Sequence, residues 1–320
     1  MLRSALLVVL VALLIVSDAD LLLYTLTALF GVPGAGAYAQ KVVWITGASS
    51  GIGEHLAYQY AATNATLVLS ARREDRLREV MARCMKLGAS PNSIIEPLDV
   101  TSALPKMQSV VETVVARVQR LDVLVLNAGA TQRGLAIDTP LSKVRELFEL
   151  NTFGAFEHAR CALPFLSKAG GSLVVTSSFT GKIGTPVSSA YSASKHALHG
   201  YFNGIRAEVP EVAISLVCFG PVASEIARVA GFKEDDANKM PTPRAAELML
   251  SAVHHGLYEV WISPHPPLLF LYVGQYMPGL VTLLNLKGPG RARVAAFQAG
   301  IDLYSSAAYT AGSDGAGESK

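Results

Sequence analysis

Charged side chains are scarce in this chain: Asp, Glu, Lys and Arg make up 16% of its 320 residues, against about a quarter in an ordinary soluble domain. The formal charge is only +2 and no run of Lys or Arg is longer than Arg72-Arg73, so nothing marks a nucleic-acid face. Cysteine is almost missing too. Cys84, Cys161 and Cys218 are odd in number, far apart and set in apolar-periodic stretches, which argues against a disulfide framework or a zinc site and reads as buried small apolar side chains. Glycine (27) and proline (16) stay near ordinary usage, which excludes collagen-like and low-complexity classes. No solenoid-type repeat and no Ser/Pro-rich linker divides the core. What is plentiful is apolar surface, 51% of residues, and that points to membrane contact.

The apolar excess is uneven. Residues 5–16 form an unbroken apolar run, Asp18 and Asp20 interrupt it, and residues 21–32 resume it. Two aspartates near the middle of a membrane span would be costly. Three readings compete for residues 1–36: a cleaved signal peptide ending near Ala35-Gly36-Ala37, an uncleaved anchor with its aspartates at an interface, or a monotopic hairpin. The uncleaved anchor is favoured, because the apolar region is long and resumes after the acidic break.

From Lys41 short apolar runs alternate with longer amphipathic stretches. Strands are expected at 42–46, 66–70, 94–98, 123–126, 172–177, 213–218 and 259–262, and helices at 52–62, 75–87, 104–120, 141–166, 190–209 and 243–255. This alternation predicts an α/β fold, a doubly wound parallel sheet (Rossmann fold), as one catalytic domain over residues 37–263. Residues 263–286 carry no Lys, Arg, Asp or Glu, but Pro264, Pro266, Pro267 and Pro278 oppose one continuous helix. Residues 264–304 therefore read as a broken hydrophobic appendage that covers a substrate mouth or dips into a membrane. The Ser/Ala/Gly-rich residues 305–320 read as a disordered tail.

Directly after the first expected strand, Thr46-Gly47-Ala48-Ser49-Ser50-Gly51-Ile52-Gly53 leads into a helix. Glycines there let the backbone approach a pyrophosphate, whose charge meets the helix N-terminus. Gly47, Ser49, Ser50, Gly51, Ile52 and Gly53 are candidate cofactor contacts. The second strand is followed by Arg72-Arg73, two guanidiniums suited to a 2′-phosphate, where a carboxylate would serve ribose hydroxyls. NADP(H) is the expected cofactor. Further on, Tyr191 and Lys195 stand four residues apart in an expected helix, on one face. A phenol with a pKa of about 10 is a poor base near neutrality, and a neighbouring ammonium stabilises its phenolate. Ser178 ends the expected fifth strand thirteen residues before Tyr191.

The Gly-x-x-x-Gly-x-Gly turn, the Tyr191-to-Lys195 spacing and Ser178 together resemble the short-chain dehydrogenase/reductase family, across residues 41–262. The resemblance implies that Ser178 hydrogen-bonds the reacting oxygen and Tyr191 passes it a proton. It implies that Lys195 also contacts the nicotinamide ribose and that Asn151 supports a water relay to the lysine. It assigns Asp99 to the adenine and Asn127-Ala128-Gly129 to a turn near the cofactor whose asparagine ties strands together, with Leu126 where the family has a further asparagine. Gly220, Pro221, Val222 and Ser224 fall in the loop over the nicotinamide, with Phe219 in place of the family's first proline and Ser224 in place of threonine. His196 and His199 read as ordinary helix residues, and no metal is expected.

Val42-Val43-Trp44-Ile45, Glu259-Val260-Trp261-Ile262-Ser263 and Gln275-Tyr276-Met277-Pro278 narrow the resemblance to membrane-associated, NADPH-dependent carbonyl reductases of the endoplasmic reticulum linked to steroids and retinoids. The expectation is an NADP(H)-dependent oxidoreductase interconverting a carbonyl and an alcohol on a lipophilic, retinoid- or steroid-like substrate. A homodimer is admitted. A non-catalytic nucleotide-binding scaffold, or a reductase of small soluble carbonyls, are the alternatives. Arg3 precedes the apolar run and no basic residue follows until Lys41. A single crossing then puts the catalytic domain in the lumen, whereas a hairpin leaves it cytoplasmic. Asn64-Ala65-Thr66 is the only N-glycosylation acceptor triplet in the chain.

Overall fold

Short runs of Val, Ile and Leu that are apolar on both faces need cover on both sides. The computed structural model, which describes residues 16–226, 236, 238–301 and 303, provides it. The strands are β1 (Val42–Thr46), β2 (Thr66–Ser70), β3 (Ile94–Ile95), β4 (Val123–Leu126), β5 (Ser172–Ser178), β6 (Ala213–Phe219), β7 (Val222–Ala223), β8 (Met240–Pro241) and β9 (Glu259–Ile262). Seven form one sheet in the order β3-β2-β1-β4-β5-β6-β9, every pairing parallel. β7 and β8 pair separately.

The helices are α1 (Leu21–Phe30), α2 (Gly51–Ala62), α3 (Glu74–Leu87), α4 (Leu104–Val118), α5 (Leu141–Phe148), α6 (Gly154–Ala169), α7 (Ser189–Ile205), α8 (Thr242–His254), α9 (Pro267–Tyr276), α10 (Pro278–Lys287) and α11 (Pro289–Gln298). Strand side chains alternate between two faces, and β1 divides accordingly. Val43 and Ile45 join a core built with α2, α3 and α8, while Val42 and Trp44 join one built with α4, α6 and α7. The chain crosses from one side of the sheet to the other between β1 and β4, which opens a crevice at the strand ends, where ligands bind in such sheets.

Three local features depart from the expected elements. β3 stops at Ile95, yet Glu96 and Leu98 still donate backbone bonds to Leu69 (2.9 Å) and Ala71 (3.0 Å). Pro97 between them has no N–H to give. The single helix expected at 141–166 is interrupted by a π-turn, Glu149–Phe153, an irregularity frequent at functional sites. The appendage is three short helices, each opening on a proline (Pro267, Pro278, Pro289), a residue suited to the first helical turn. Leu268, Leu271 and Val281 from it bury against Ile183, with Phe179 and Trp261 alongside.

Residues from Val16 onward fold onto the sheet domain. Ala19 bridges Ile262 in antiparallel fashion, extending the sheet beyond β9. Arg244 donates to both Asp18 carboxylate oxygens, at 2.8 and 3.2 Å. Asp20 caps α1 by accepting from Leu23 N at 3.1 Å and also accepts from Trp261 N at 2.8 Å; such a cap is worth about 1 kcal/mol. Thus the two aspartates read as an interfacial break have protein partners. Leu23 and Thr27 are buried, whereas Leu22, Leu29 and Phe30 are exposed. Among the described residues no helix is long and apolar enough to cross a membrane. The first part of the expected anchor, residues 1–15, and the expected disordered tail, 305–320, lie outside the described residues.

Candidate active site

The turn after β1 is shaped by lack of space. Gly47 has φ +64°, and a Cβ on it would lie 2.9 Å from Ala128 Cα. A Cβ on Gly53 would lie 2.4 Å from Gly47 O. Asn127 locks this packing: its Nδ2 donates to Thr46 O at 3.1 Å and Gly47 O at 3.3 Å, and its Oδ1 accepts from Thr176 Oγ1 at 3.2 Å. One asparagine therefore joins β1, β4 and β5. α2 begins at Gly51 with no side-chain cap on its first N–H groups, the form of helix end that receives a phosphate. Arg73 donates to Ser49 Oγ and Ser50 Oγ, each at 3.2 Å, so a guanidinium stands beside that turn. Asp99 is held below the usual carboxylate range by the Thr101 backbone N–H and hydroxyl, with Arg72 and Lys106 adding to it.

A cavity of about 840 Å³ runs from this turn along the strand ends. Gly47, Ser49, Ser50, Gly51, Ile52, Arg72, Arg73, Asp99, Asn127, Ala128 and Gly129 line it at one end. Ser178, Tyr191, Lys195, Gly220, Pro221, Val222 and Ser224 line it too, with Ser224 beside Gly51. Gly53 and Asn151 do not line it. Asn151 sits behind the wall in the π-turn, accepting from Ala130 N at 2.8 Å and donating to Ala130 O at 2.9 Å and Ser194 Oγ at 3.1 Å. The lysine Nζ donates to Thr176 O at 2.9 Å and stands 6.0 Å from the centre of the Tyr191 ring. Burial of the Lys195 ammonium lowers its pKa to about 8. Ser178 caps the turn Phe179–Gly181, accepting from Thr180 N at 3.2 Å.

A family model for short chain dehydrogenases matches residues 41–235, the stretch that carries the glycine turn, Ser178, Tyr191 and Lys195. The chain belongs to the short-chain dehydrogenase family. It is 40% identical over 280 residues to human (Homo sapiens) dehydrogenase/reductase SDR family member 7, covering 83% of this chain and 82% of that protein. With the hydroxysteroid 11-beta-dehydrogenase 1-like protein of Gallus gallus it shares 41% over 235 residues, 69% of this chain and 79% of the other. Among solved structures it is similar to a short-chain dehydrogenase from Sphingobium yanoikuyae in complex with NADPH, with a TM-score of 0.65 and 25% identity, covering 76% of this chain and 95% of that one. An alcohol dehydrogenase from the archaeon Thermococcus sibiricus, complexed with 5-hydroxy-NADP, matches with a TM-score of 0.64 and 26% identity over 70% of this chain and 97% of its own.

Several parts of this short-chain dehydrogenase's site carried no sequence signal. The far end of the cavity is lined by Phe179, Ile183, Pro266, Pro267, Phe270 and Arg293, drawn from the loop after β5 and from the appendage. Nothing in their spacing announces that they meet; only the free apolar faces of the appendage hinted at a cover. Val187 in the same loop adopts φ +66°, a conformation that is strained for a β-branched residue. His196 is an ordinary helix residue, its Nδ1 2.8 Å from Ser192 O. His199 is not: contrary to the sequence reading, the fold gathers it with Cys218 and Glu259, their ligand-type atoms within 4.8 Å of one another.

Proposed function

We propose that this short-chain dehydrogenase interconverts a carbonyl and an alcohol on a lipophilic substrate, using NADP(H). The observation that carries the reading is the placement of Ser178, Tyr191 and Lys195 on one cavity with the glycine turn of α2. The cleft fits the cofactor: a close backbone turn and an uncapped helix end suit a pyrophosphate, and Arg72 and Arg73 suit a 2′-phosphate. When bound, the nicotinamide supplies the hydride.

The chain's own groups do the rest. Ser178 donates a hydrogen bond to the substrate oxygen and polarises it. Tyr191 delivers a proton to that oxygen in reduction and removes it in oxidation. Lys195, held by Thr176, places its ammonium where it stabilises the phenolate left behind. Asn151 fixes the Ala130 backbone and Ser194 around that lysine. Phe179, Ile183 and Phe270 favour an apolar substrate body, and one relative is a hydroxysteroid dehydrogenase-like protein by name.

Replacing Arg72 and Arg73 together by Ala tests the cofactor reading. KM for NADPH is expected to rise tenfold or more, about 1.4 kcal/mol, with little change for NADH, in assays of NAD(P)H oxidation against a panel of aldehydes and ketones. Equal losses for both cofactors would refute the assignment. The Lys195 pKa of about 8 sets a pH limit. Its ammonium is present below that value and lost above it. Carbonyl reduction at saturating NADPH is therefore expected to hold steady near pH 6–7 and fall as pH rises through about 8. In Lys195→Arg any remaining activity should lack this fall, because the guanidinium stays charged.

The apolar N-terminal residues attach the enzyme to the endoplasmic reticulum membrane in this reading, and the exposed Leu22, Leu29 and Phe30 of α1 and Leu283 and Leu286 of α10 favour it. Protease protection in sealed microsomes decides whether the catalytic domain is lumenal, as the charge distribution favours.

A further inference from the structure

Ser177, Lys182, His199 and Glu259 have no part in the chemistry above, yet their contacts flank the segment that carries Ser178. Ser177 and Ser178 are successive residues of β5 and so face opposite sides. Ser177 Oγ lies 2.9 Å from His199 Nε2. His199 stands four residues beyond Lys195 and eight beyond Tyr191 on α7, so the three share one stripe of that helix. The other ring nitrogen, Nδ1, faces Glu259 Oε2 at 3.4 Å. Glu259 Oε1 accepts from Lys182 Nζ at 3.0 Å and from Trp261 Nε1 at 3.0 Å.

The chain of contacts thus leaves the backbone at Ser177 and returns to it at Lys182. Between those two residues lie Ser178 and the turn Phe179–Gly181, which lines the cavity. The segment carrying Ser178 is tied at both ends to α7 and β9. It also fits tightly, since a Cβ on Gly181 would lie 2.7 Å from Ser177 Oγ and 3.1 Å from Lys195 O. Burial alone would push Glu259 up, but the bonds from Trp261 and Lys182, with the His199 ring close by, prevail and hold it at about 2. It is an anion throughout the working pH range. A largely buried ion pair adds little net stability compared with apolar packing, so geometry is the better account of why charge is placed here.

Two other uses of the cluster fit the geometry less well. Cys218 Sγ approaches His199 Nε2, at 3.6 Å, whereas Glu259 faces Nδ1; a metal ion on either nitrogen would have to draw the thiol or the carboxylate from its present contact. Burial pushes the Cys218 thiol up as well, away from the thiolate that a metal needs. Ser177 is no nucleophile, because it is buried with Gly181 packed over its Oγ.

We infer that His199 and Glu259 are positioning residues: through Ser177 and Lys182 they hold Ser178 and the Phe179–Gly181 turn in register with Tyr191 and Lys195. The inference rests on the proposed roles of Ser178 and Tyr191. It is tested in the full-length enzyme with Lys182→Gln, Glu259→Gln and His199→Phe, measuring kcat for carbonyl reduction, the NADPH Kd by nicotinamide fluorescence, and Tm. Each variant is expected to lose on the order of tenfold in kcat with the NADPH Kd changed less than about twofold. Lys182→Arg should restore most of the rate, and Lys182→Gln combined with Glu259→Gln should be no worse than Glu259→Gln alone. Lys182 lies at the edge of the network, so Lys182→Gln decides the matter if the deeper variants do not fold. Wild-type kcat in Lys182→Gln, or parallel loss of kcat, NADPH affinity and Tm, would overturn the inference. So would stoichiometric zinc in the purified enzyme by mass spectrometry. Tyr191→Phe run alongside separates the two levels. If it is active, the underlying reading fails; if it is dead while the network variants are normal, only the positioning role fails.

Discussion

Tyr191→Phe is expected to lower kcat for carbonyl reduction by on the order of a thousandfold, about 4 kcal/mol of transition-state stabilisation. The phenol hydroxyl is the one group assigned to carry a proton to the substrate oxygen, and the change removes that single atom. The ring keeps its place on α7, the Lys195 bond to Thr176 O is untouched, and the glycine turn proposed to hold the pyrophosphate is a separate part of the cavity wall. NADPH affinity should therefore stay near the wild-type value. Single-turnover measurement with preformed enzyme–NADPH complex separates the two quantities. A variant that keeps most of the wild-type rate would refute Tyr191 as the acid/base.

Gly53→Ala is expected to cost cofactor affinity rather than chemistry. The added methyl would lie 2.4 Å from Gly47 O and 2.6 Å from Asn127 Nδ2. Neither can move cheaply, because Asn127 Nδ2 is bonded to Thr46 O and Gly47 O and its Oδ1 to Thr176. The turn must open, and the N–H groups at the start of α2 leave the positions that suit a pyrophosphate. A rise in the NADPH Kd of about a hundredfold, roughly 2.7 kcal/mol, is the expected reading by calorimetric titration, together with a lower Tm. Gly204→Ala is the control, since nothing lies within 4 Å of a Cβ there. Tight NADPH binding by Gly53→Ala would show that close packing at this turn is not what shapes the site.

Much of the candidate site was legible because its signals are local. Tyr191 and Lys195 share a helix face by counting alone. The turn from Gly47 to Gly53 follows a strand and opens a helix, and its glycines mark a backbone that must pass close to something. Asn127 is different: its place in a turn was readable, but the three strands it joins became visible only with the β4 pairings to β1 and β5. Asn151 was assigned by resemblance, and its position behind the cavity wall depends on a π-turn that no hydrophobic period encodes.

By itself, then, the sequence determined what depends on neighbours along the chain: apolar runs short enough to be strands, a parallel α/β alternation, the glycine turn and the spacing of Tyr191 and Lys195. Tertiary structure decided what depends on residues far apart. His199, Cys218 and Glu259 meet only because α7 packs beside β6 and β9. Asp18 finds Arg244 across a separation of 226 residues, which turns an apparent break in an apolar run into a docked segment. The cavity's apolar end exists only where the appendage folds back over the loop after β5. Periodicity records which face of an element is buried, and it carries no information about which distant element does the burying.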